Sequence, residues 1–341
     1  MSPTRSTRVL SRRTLLAAGG ALGAGALLAG CGDEAGGDPA GDSGSDGWTF
    51  TDDRDETVRL DGRPERIVAY VSAAAALHDY GVECVGIFGS SSPVRGERNP
   101  QAGELDLSRL TNLGEAWGEF NIEEYARLEP QLLISNMFPA PDLWYVPEEA
   151  RDEIFSLAPA IGINGARTSL LDPLRRYTEL AEALGADLSA PSVTEARTRF
   201  DDAAESLRQA ARDNPGLRVM AMTGDAEQLY VAVPDSYTDL HYFKDLGVDL
   251  VEGRKVDEWG FWEFLSWEEA DHYHADLIMI DNRTQALSAE DLAAKPTWAR
   301  LPAVEAGQTI SWSMEERYSY AGFAPILEQL ADAIRGARTL A

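Results

Sequence analysis

Apolar and polar positions along this chain repeat one order: a short apolar run, a turn, then an amphipathic stretch of helical period. Near the start, "TFTDDRDETVRL" (49–60) alternates on either side of a polar turn and predicts a β-hairpin. "RIVAYV" (66–71) then predicts a buried strand, Ala73 to Tyr80 a helix closed by Gly81, and "CVGIFG" (84–89) a second strand. Strand, helix and strand at this spacing imply a parallel sheet, because parallel neighbours need a crossover connection. A third unit couples a helix over 121–129 to the strand "QLLIS" (131–135). It is followed by a helix after "VPEE" (146–149) and the strand-like "APAIGI" (158–163).

The stretch 189–216 has Ser189 as a candidate cap, Pro191 in the first turn, and apolar Ala196, Phe200, Ala203, Leu207 and Ala210 at helical spacing, with Pro215 and Gly216 as the stop. A helix of about 23 residues reaches roughly 34 Å, long enough to act as a strut between two lobes. Beyond it come strands "RVMAMTG" (218–224) and "QLYVAV" (228–233), the helix "YTDLHYFKDLG" (237–247), and a last helix from Gly322 to Ile334.

One segment occurs twice. "NIEEYARLEPQLLIS" (121–135) is echoed 145 positions later by "SWEEADHYHADLIMID" (266–281). Without gaps, Glu123 falls on Glu268, Glu124 on Glu269, and Leu132-Leu133-Ile134 on Leu277-Ile278-Met279. Each copy predicts a short helix running into a buried strand. No repeat of about 20 to 50 residues is present, so the pattern predicts a pair of α/β lobes and no solenoid.

Composition adds compartment. The first 30 residues hold Arg5, Arg8, Arg12 and Arg13, no acid, and an apolar run from Leu15 to Gly30. At about 16 residues, rich in Gly and Ala, the run is short of the ~20 that a spanning helix needs and predicts an export signal. "SRRTLL" places twin arginines just before it, the mark of a twin-arginine route. "LAGC" (28–31) resembles a bacterial lipobox, which implies that Cys31 is acylated and anchors the protein on the outer face of the cytoplasmic membrane. Residues 32–47 lack any large apolar side chain and predict a flexible acidic tether. The expected divisions are thus a signal at 1–30, lipidated Cys31 and linker at 31–47, an N-terminal lobe at 48–187, a connecting helix at 188–215 and a C-terminal lobe at 216–341. With 341 residues, 44 % of them hydrophobic, there is material for two cores.

Removing the signal takes four arginines from the 30 basic residues, leaving 26 against 57 acids, a formal net of −31 in place of −27. That field argues against nucleic acid and anionic lipid as partners and favours neutral or cationic ligands. Cys84 sits inside an apolar strand pattern and reads as a core thiol. The chain contains no G-x-S-x-G elbow, H-E-x-x-H, Walker loop or G-x-G-x-x-G after a strand, so no enzyme is expected. His272 and His274, two of four histidines, alternate at a helix-to-strand junction. They match Arg127 and Glu129 of the first copy, which points to exposed helix-end positions and no metal site.

Export signal, lipobox, tether, two lobes and strut together resemble the substrate-binding proteins of ABC importers for ferric siderophores and vitamin B12. The likeness covers residues 48–336. It is carried by "RIVAY" before a small-residue helix ending "YG", by "NIEEYARLEPQLLI", and by "WARLPAVEAGQTISW" (298–312) ahead of the last helix. Relatives often place a glutamate early in the first helix, where this chain has "SAAAAL". The resemblance implies a class III periplasmic-binding-protein architecture, two Rossmann-like lobes joined by a single long helix. It also implies a monomeric, non-enzymatic receptor that binds a ferric siderophore without a cofactor of its own, since the iron arrives already chelated, with cobalamin, haem or a free metal ion as alternative ligands and an exported enzyme as the more distant reading; the aromatic loops, the four histidines and the net of −31 favour a siderophore of the hydroxamate type. It further implies that Glu123 and Glu268 dock on arginines of a permease dimer, although a helix dipole alone also favours first-turn acids there.

Ligands of such sheets bind beyond the carboxyl ends of the strands. The loops in question carry Tyr70, Trp117, Phe138, Trp144 and Tyr145 in the first lobe. In the second they carry Tyr237, the cluster Trp259, Phe261 and Trp262, then Arg283, Arg317 and Tyr318. Aromatic rings suit the organic shell of an iron chelate, and Arg283, Arg317 and, as a third, Arg95 would serve as donors to its oxygens.

Overall fold

The computed structural model describes residues 47–340 apart from Thr284. The signal, Cys31 and nearly all of the tether lie outside the described residues. Among the described residues no helix is long and apolar enough to cross a membrane.

The chain opens with the expected hairpin, β1 (Trp48–Thr51) paired antiparallel to β2 (Thr57–Leu60). The buried carboxylate of Asp52 organises its turn. It accepts from the Arg54 and Glu56 amides and from Gly162 N across the lobe, and it pairs with the Arg54 guanidinium. The first lobe then runs β3 (Ile67–Tyr70), α1 (Val71–Asp79), β4 (Gly86–Phe88), β5 (Thr111–Asn112), α2 (Ile122–Arg127), β6 (Leu132–Met137), α3 (Arg151–Leu157), β7 (Ala160–Asn164) and α4 (Leu171–Ala183). Its five strands lie in the order β5-β4-β3-β6-β7, all parallel. Covered by helices, β3 and β6 bury every residue, which is why β3 and the Leu132–Ile134 start of β6 read as apolar runs, while buried Ser135 and Asn136 complete β6. Cys84 is buried at the approach to β4, and burial pushes its thiol up to about 12, as befits an inert core thiol.

The long helix α5 (Pro191–Asp213) has 23 residues and buries Phe200, Ala203, Leu207 and Ala210, the stripe that its spacing predicts. Its cap differs from expectation. Ala190 stands at the N-cap with Pro191 as the first helical residue, while the Ser189 hydroxyl donates to Asp187 at 2.5 Å and closes a turn before the helix. Proline in the first turn removes an amide that would otherwise lack a partner, so no side-chain cap is required.

The second lobe comprises β8 (Arg218–Gly224), β9 (Gln228–Ala232), α6 (Thr238–Asp245), β10 (Asp249–Leu250), β11 (Trp262–Ser266), β12 (Leu277–Asp281), α7 (Ala289–Ala293), α8 (Pro302–Glu305), β13 (Thr309–Trp312) and α9 (Tyr320–Gly336). Its sheet has the order β11-β9-β8-β12-β13, with β10 also on β8. The centre is parallel, while β9 and β11 join antiparallel. Helix α9 returns along α5: Phe200 meets Tyr320 edge-on at 5.4 Å, and Arg199 holds Glu328 with two bonds of 2.7 and 2.6 Å.

The second copy of the repeated segment departs from expectation at its helix. Residues Trp267–Glu269 make one 3-10 turn, closed by a capping box in which Ser266 and Glu269 satisfy each other. The preceding residues are committed to β11, whose pairing with β9 runs up to Ser266 and leaves no room for another turn. In the first copy Asn121 caps a real helix through the Glu124 amide.

Candidate functional site

The carboxyl ends of both sheets face one another across a cavity of about 880 Å³, within the ~300 to 1,000 Å³ usual for small-molecule sites. Its floor is tied by main-chain bonds between the lobes: Arg167 N to Ser236 O at 3.1 Å and Leu170 N to Thr238 O at 2.9 Å.

The first-lobe wall comes from the loops after β5 and β6. Trp117 stands 63 % exposed, its ring centroid 4.6 Å from Trp144 and 5.3 Å from Tyr145. Phe138 follows β6 directly and meets Trp144 edge-on at 5.5 Å. Tyr145 has φ of 62°, the left-handed region that non-glycine residues seldom occupy. Such strain persists where the surroundings hold it, and here the ring stacks on Tyr70 at 5.5 Å.

The second-lobe wall is built from Tyr237, Trp259, Phe261, Trp262, Arg283, Met314 and Glu315. Tyr237 lies over buried Trp312 at 5.2 Å and beside Phe261 and Trp262, both at 5.3 Å. Its hydroxyl is buried and finds no hydrogen-bond partner among the described residues, and burial raises its pKa well above the usual phenol value. Trp259, 60 % exposed, faces the opening opposite the Trp117 wall.

Nine residues singled out from sequence therefore line the cavity together: Trp117, Phe138, Trp144, Tyr145, Tyr237, Trp259, Phe261, Trp262 and Arg283. Three do not. Tyr70 is fully buried behind the wall, donating its hydroxyl to Glu315 at 2.7 Å. Arg317 turns away to pair with Asp79 at 2.7 Å and Glu316 at 2.8 Å. Tyr318 is stacked between Tyr177 and Phe323, its hydroxyl reaching Gly165 O at 3.1 Å. The residues that do enter the cavity after β13 are Met314 and Glu315, three positions earlier. Arg95 lies outside the wall and bridges the lobes elsewhere, donating to Ala286 O and Leu287 O at 2.7 and 3.1 Å.

Acids dominate the charged lining: Asp142, Glu148, Glu149, Asp257 and Glu315 against Arg151 and Arg283. Arg283 is itself compensated, held by Asp281 at 2.9 Å and by Glu315. Glu315 also accepts from Gln101 Nε2 at 3.0 Å and Trp144 Nε1 at 3.3 Å, so one second-lobe carboxylate gathers donors from three places in the first lobe. His274 sits 3.2 Å from Asp276 and the His272 ring packs edge-on against Tyr273. Among the described residues no group of three or more His, Cys, Asp or Glu could hold a metal ion.

Beneath the second wall, Asp239 accepts from Trp312 Nε1 at 2.6 Å. Burial raises its carboxyl to about 6, against the opposing pull of that indole and of backbone amides. Below about pH 4 folded and unfolded chains both hold the proton, and stability is lost as pH rises through about 6, when the folded state must bury a charge or retain the proton. Two units correspond to roughly 3 kcal/mol. Asp239→Asn is therefore expected to gain roughly 1 to 3 kcal/mol at pH 7.5 and little at pH 4. Urea unfolding at both values checks this, and an equal effect at the two pH values would contradict it.

Comparison with known proteins follows the same outline. A periplasmic binding protein family profile matches residues 71–315. The structure resembles that of DesE, a ferric-siderophore receptor protein from Streptomyces coelicolor, with a TM-score of 0.83 and 44 % identity over 86 % of this chain and 100 % of that one. It also resembles the siderophore periplasmic binding protein from the fuscachelin gene cluster of Thermobifida fusca, with a TM-score of 0.58 and 24 % identity over 80 % and 97 % of the two chains. The petrobactin-binding protein YclQ of Bacillus subtilis shares the fold, with a TM-score of 0.63 and 15 % identity over 85 % and 99 %. No curated protein matches the sequence significantly.

Proposed function

The chain belongs to the periplasmic binding protein family, which binds and does not catalyse, and from that premise we propose that it captures a ferric siderophore of the hydroxamate type and delivers it to an ABC permease. The observation that carries this reading is the cavity: large, aromatic on both walls, and richer in carboxylates than in arginines. A bulky chelate with an apolar rim fits rings of this kind, and its iron needs no protein ligand. A trianionic tris-catecholate complex would bury its charge beside carboxylates, at several kcal/mol per ion. The description of DesE as a ferric-siderophore receptor supports the ligand class.

The test is tryptophan quenching of the soluble domain with ferrioxamine B, ferrichrome, ferric enterobactin, cobalamin and haem. Four tryptophans line the cavity, so occupancy is directly visible. Tighter binding of ferric enterobactin than of ferrioxamine B would overturn the hydroxamate assignment, and preference for cobalamin or haem would replace the ligand class.

Delivery is assigned to Glu123 and Glu268. Both are exposed; Glu123 keeps 87 % of its side chain open with only a loose 3.7 Å pairing to Arg127, whereas Glu124 is held closely by Arg127 and Glu269 by the capping box. Solvent-exposed carboxylates on two lobes suit paired guanidinium partners on two permease subunits. The double replacement Glu123→Ala with Glu268→Ala is expected to leave siderophore affinity within about threefold, since neither residue lines the cavity, while uptake of radiolabelled iron complex falls on the order of tenfold or more for lost charge-assisted contacts. Uptake at the wild-type rate would reject the docking role.

Cys31 is assigned as the lipid anchor that holds the protein outside the cytoplasmic membrane, on the strength of "LAGC" after the apolar run. Cys31→Ala is expected to abolish incorporation of labelled palmitate and to release the protein or leave it as precursor; label in the variant equal to wild type would exclude the anchor.

A further inference from the structure

Resting on that reading, the geometry points to Glu315 as the residue that sets which ligand charge the cavity accepts, by cancelling the arginine in its second-lobe wall. Two arginines line the cavity, Arg283 in that wall and Arg151, which is paired with Asp142 at 2.6 Å. The Arg283 side chain is 15 % exposed, and it is enclosed by Asp281 and Glu315, whose side chains are 0 % and 7 % exposed. Three of its five N–H groups are spent: Nε and Nη2 on Asp281, Nη1 on Glu315. The other two make no hydrogen bond among the described residues, and the residue lines the cavity. The group is thus a hydrogen-bond donor embedded in a cluster whose formal charge is −1.

Glu315 is fixed in that role from the other lobe. Its Oε2 accepts from Tyr70, Gln101 and Trp144, which leaves Oε1 for Arg283. The hydroxyl of Tyr237, buried and without a hydrogen-bond partner among the described residues, is a second, neutral donor on the same wall. Together they offer N–H and O–H groups to the oxygens around a chelated metal without offering net positive charge. A neutral or monocationic chelate is satisfied by such donors. A trianionic one loses water at both walls and meets no uncompensated cation, so the cavity discriminates by charge while its rings remain indifferent to it.

Removing one carboxylate charge exposes the arginine. Glu315→Gln keeps an oxygen for the first-lobe donors but turns an amide towards Arg283. Asp281→Asn frees the same guanidinium while leaving the contacts between lobes intact. For ligands differing by about four units of charge, one added unit at about 8 Å changes the ratio of affinities on the order of 30-fold even at the dielectric constant of water.

The experiment measures Kd for ferrioxamine B, a monocation, and ferric enterobactin, a trianion, by tryptophan quenching in wild type, Glu315→Gln and Asp281→Asn, with thermal melts of each. Both variants are expected to shift the affinity ratio towards the trianion by on the order of 30-fold. A ratio within about threefold of wild type in both, with wild type still favouring ferrioxamine B, overturns the role of Glu315 and leaves the proposed function standing. Wild-type preference for enterobactin overturns both. Should one variant fail to fold, the other decides; should both fail, wild type must bind ferrioxamine B more tightly than its N-acetylated, uncharged derivative, and equal or reversed affinities overturn the inference.

Discussion

Replacing Trp144 with alanine is expected to weaken binding of ferrioxamine B by about 2 to 4 kcal/mol, roughly 30- to 1,000-fold in Kd. Trp144 is the ring that the other first-lobe aromatics lean on, with Trp117 at 4.6 Å, Phe138 at 5.5 Å and Tyr145 at 6.1 Å. Its indole N–H also reaches Glu315, so truncation removes apolar wall, the support of three neighbours and one bond to the carboxylate that holds Arg283. Exposed Trp117 props up less, and Trp117→Ala is expected to cost less, about 1 to 3 kcal/mol, mainly as lost apolar contact. Trp144→Phe separates the contributions: it keeps most of the wall and loses the N–H, so it should lie nearer to wild type than to alanine. Fluorescence titration in each background measures all three, and a Trp144→Ala protein that binds within about threefold of wild type would show that this wall does not carry the ligand.

The two-lobed architecture was legible because its main signals are local. Continuous apolar runs mark strands covered on both faces, as in β3 and the first half of β6, and the stripe on α5 repeats every three to four residues for its whole length. The edge strand β11 was harder to read. Its alternation is inverted, with Glu263 buried against Tyr273 and the Arg254 amide while Phe264 is 45 % exposed, so "WEFLS" resembles a loop with aromatic residues more than a strand. A buried acid on a strand is intelligible only with its partners, and those lie ten and nine residues away.

Site residues followed a similar division. Rings in loops after strands were found because the sheet topology says where such loops converge. What the pattern lacked was register after the final strand. "SWSMEERYSY" offers Glu315, Glu316, Arg317 and Tyr318 in succession, and the aromatic and cationic members were favoured for the cleft. The chain leaves β13 and must cap α9 with Ser319 within a few residues, which swings Arg317 and Tyr318 into the seam between lobes and leaves Met314 and Glu315 facing the cavity. The importance of Glu315 also rests on Tyr70, Gln101 and Trp144, far apart in sequence, converging on one carboxylate.

That relocation changes what Arg317→Ala should do. As a cleft donor it would cost ligand affinity and little stability; in its observed place it should cost about 3 to 5 kcal/mol of stability, the usual effect of removing one partner from a buried ion cluster. The guanidinium is 13 % exposed and spans Asp79 of the first lobe and Glu316 of the second, whose side chains are 9 % and 6 % exposed. Its charged form is favoured by both carboxylates against the cost of burial, and burial raises the pKa of Glu316. Without the arginine, Asp79 keeps the Ser319 hydroxyl at 2.5 Å, and Glu316 keeps the backbone amide at 3.1 Å and a hydrogen bond from Ser313, but neither buried carboxylate retains a cation. The space cannot simply be closed, since Gly103 approaches the Arg317 side chain so tightly that a Cβ there would lie 2.8 Å from it, and Gly103 holds φ of 50°. The melting temperature is expected to fall on the order of 6 to 15 °C. Affinity of the folded variant for ferrioxamine B should change by less than about tenfold, because Arg317 does not line the cavity. Urea unfolding and titration of one preparation decide between the two roles: intact stability with a hundredfold loss of binding would return Arg317 to the ligand, while the reverse pattern fixes it as a clasp between lobes.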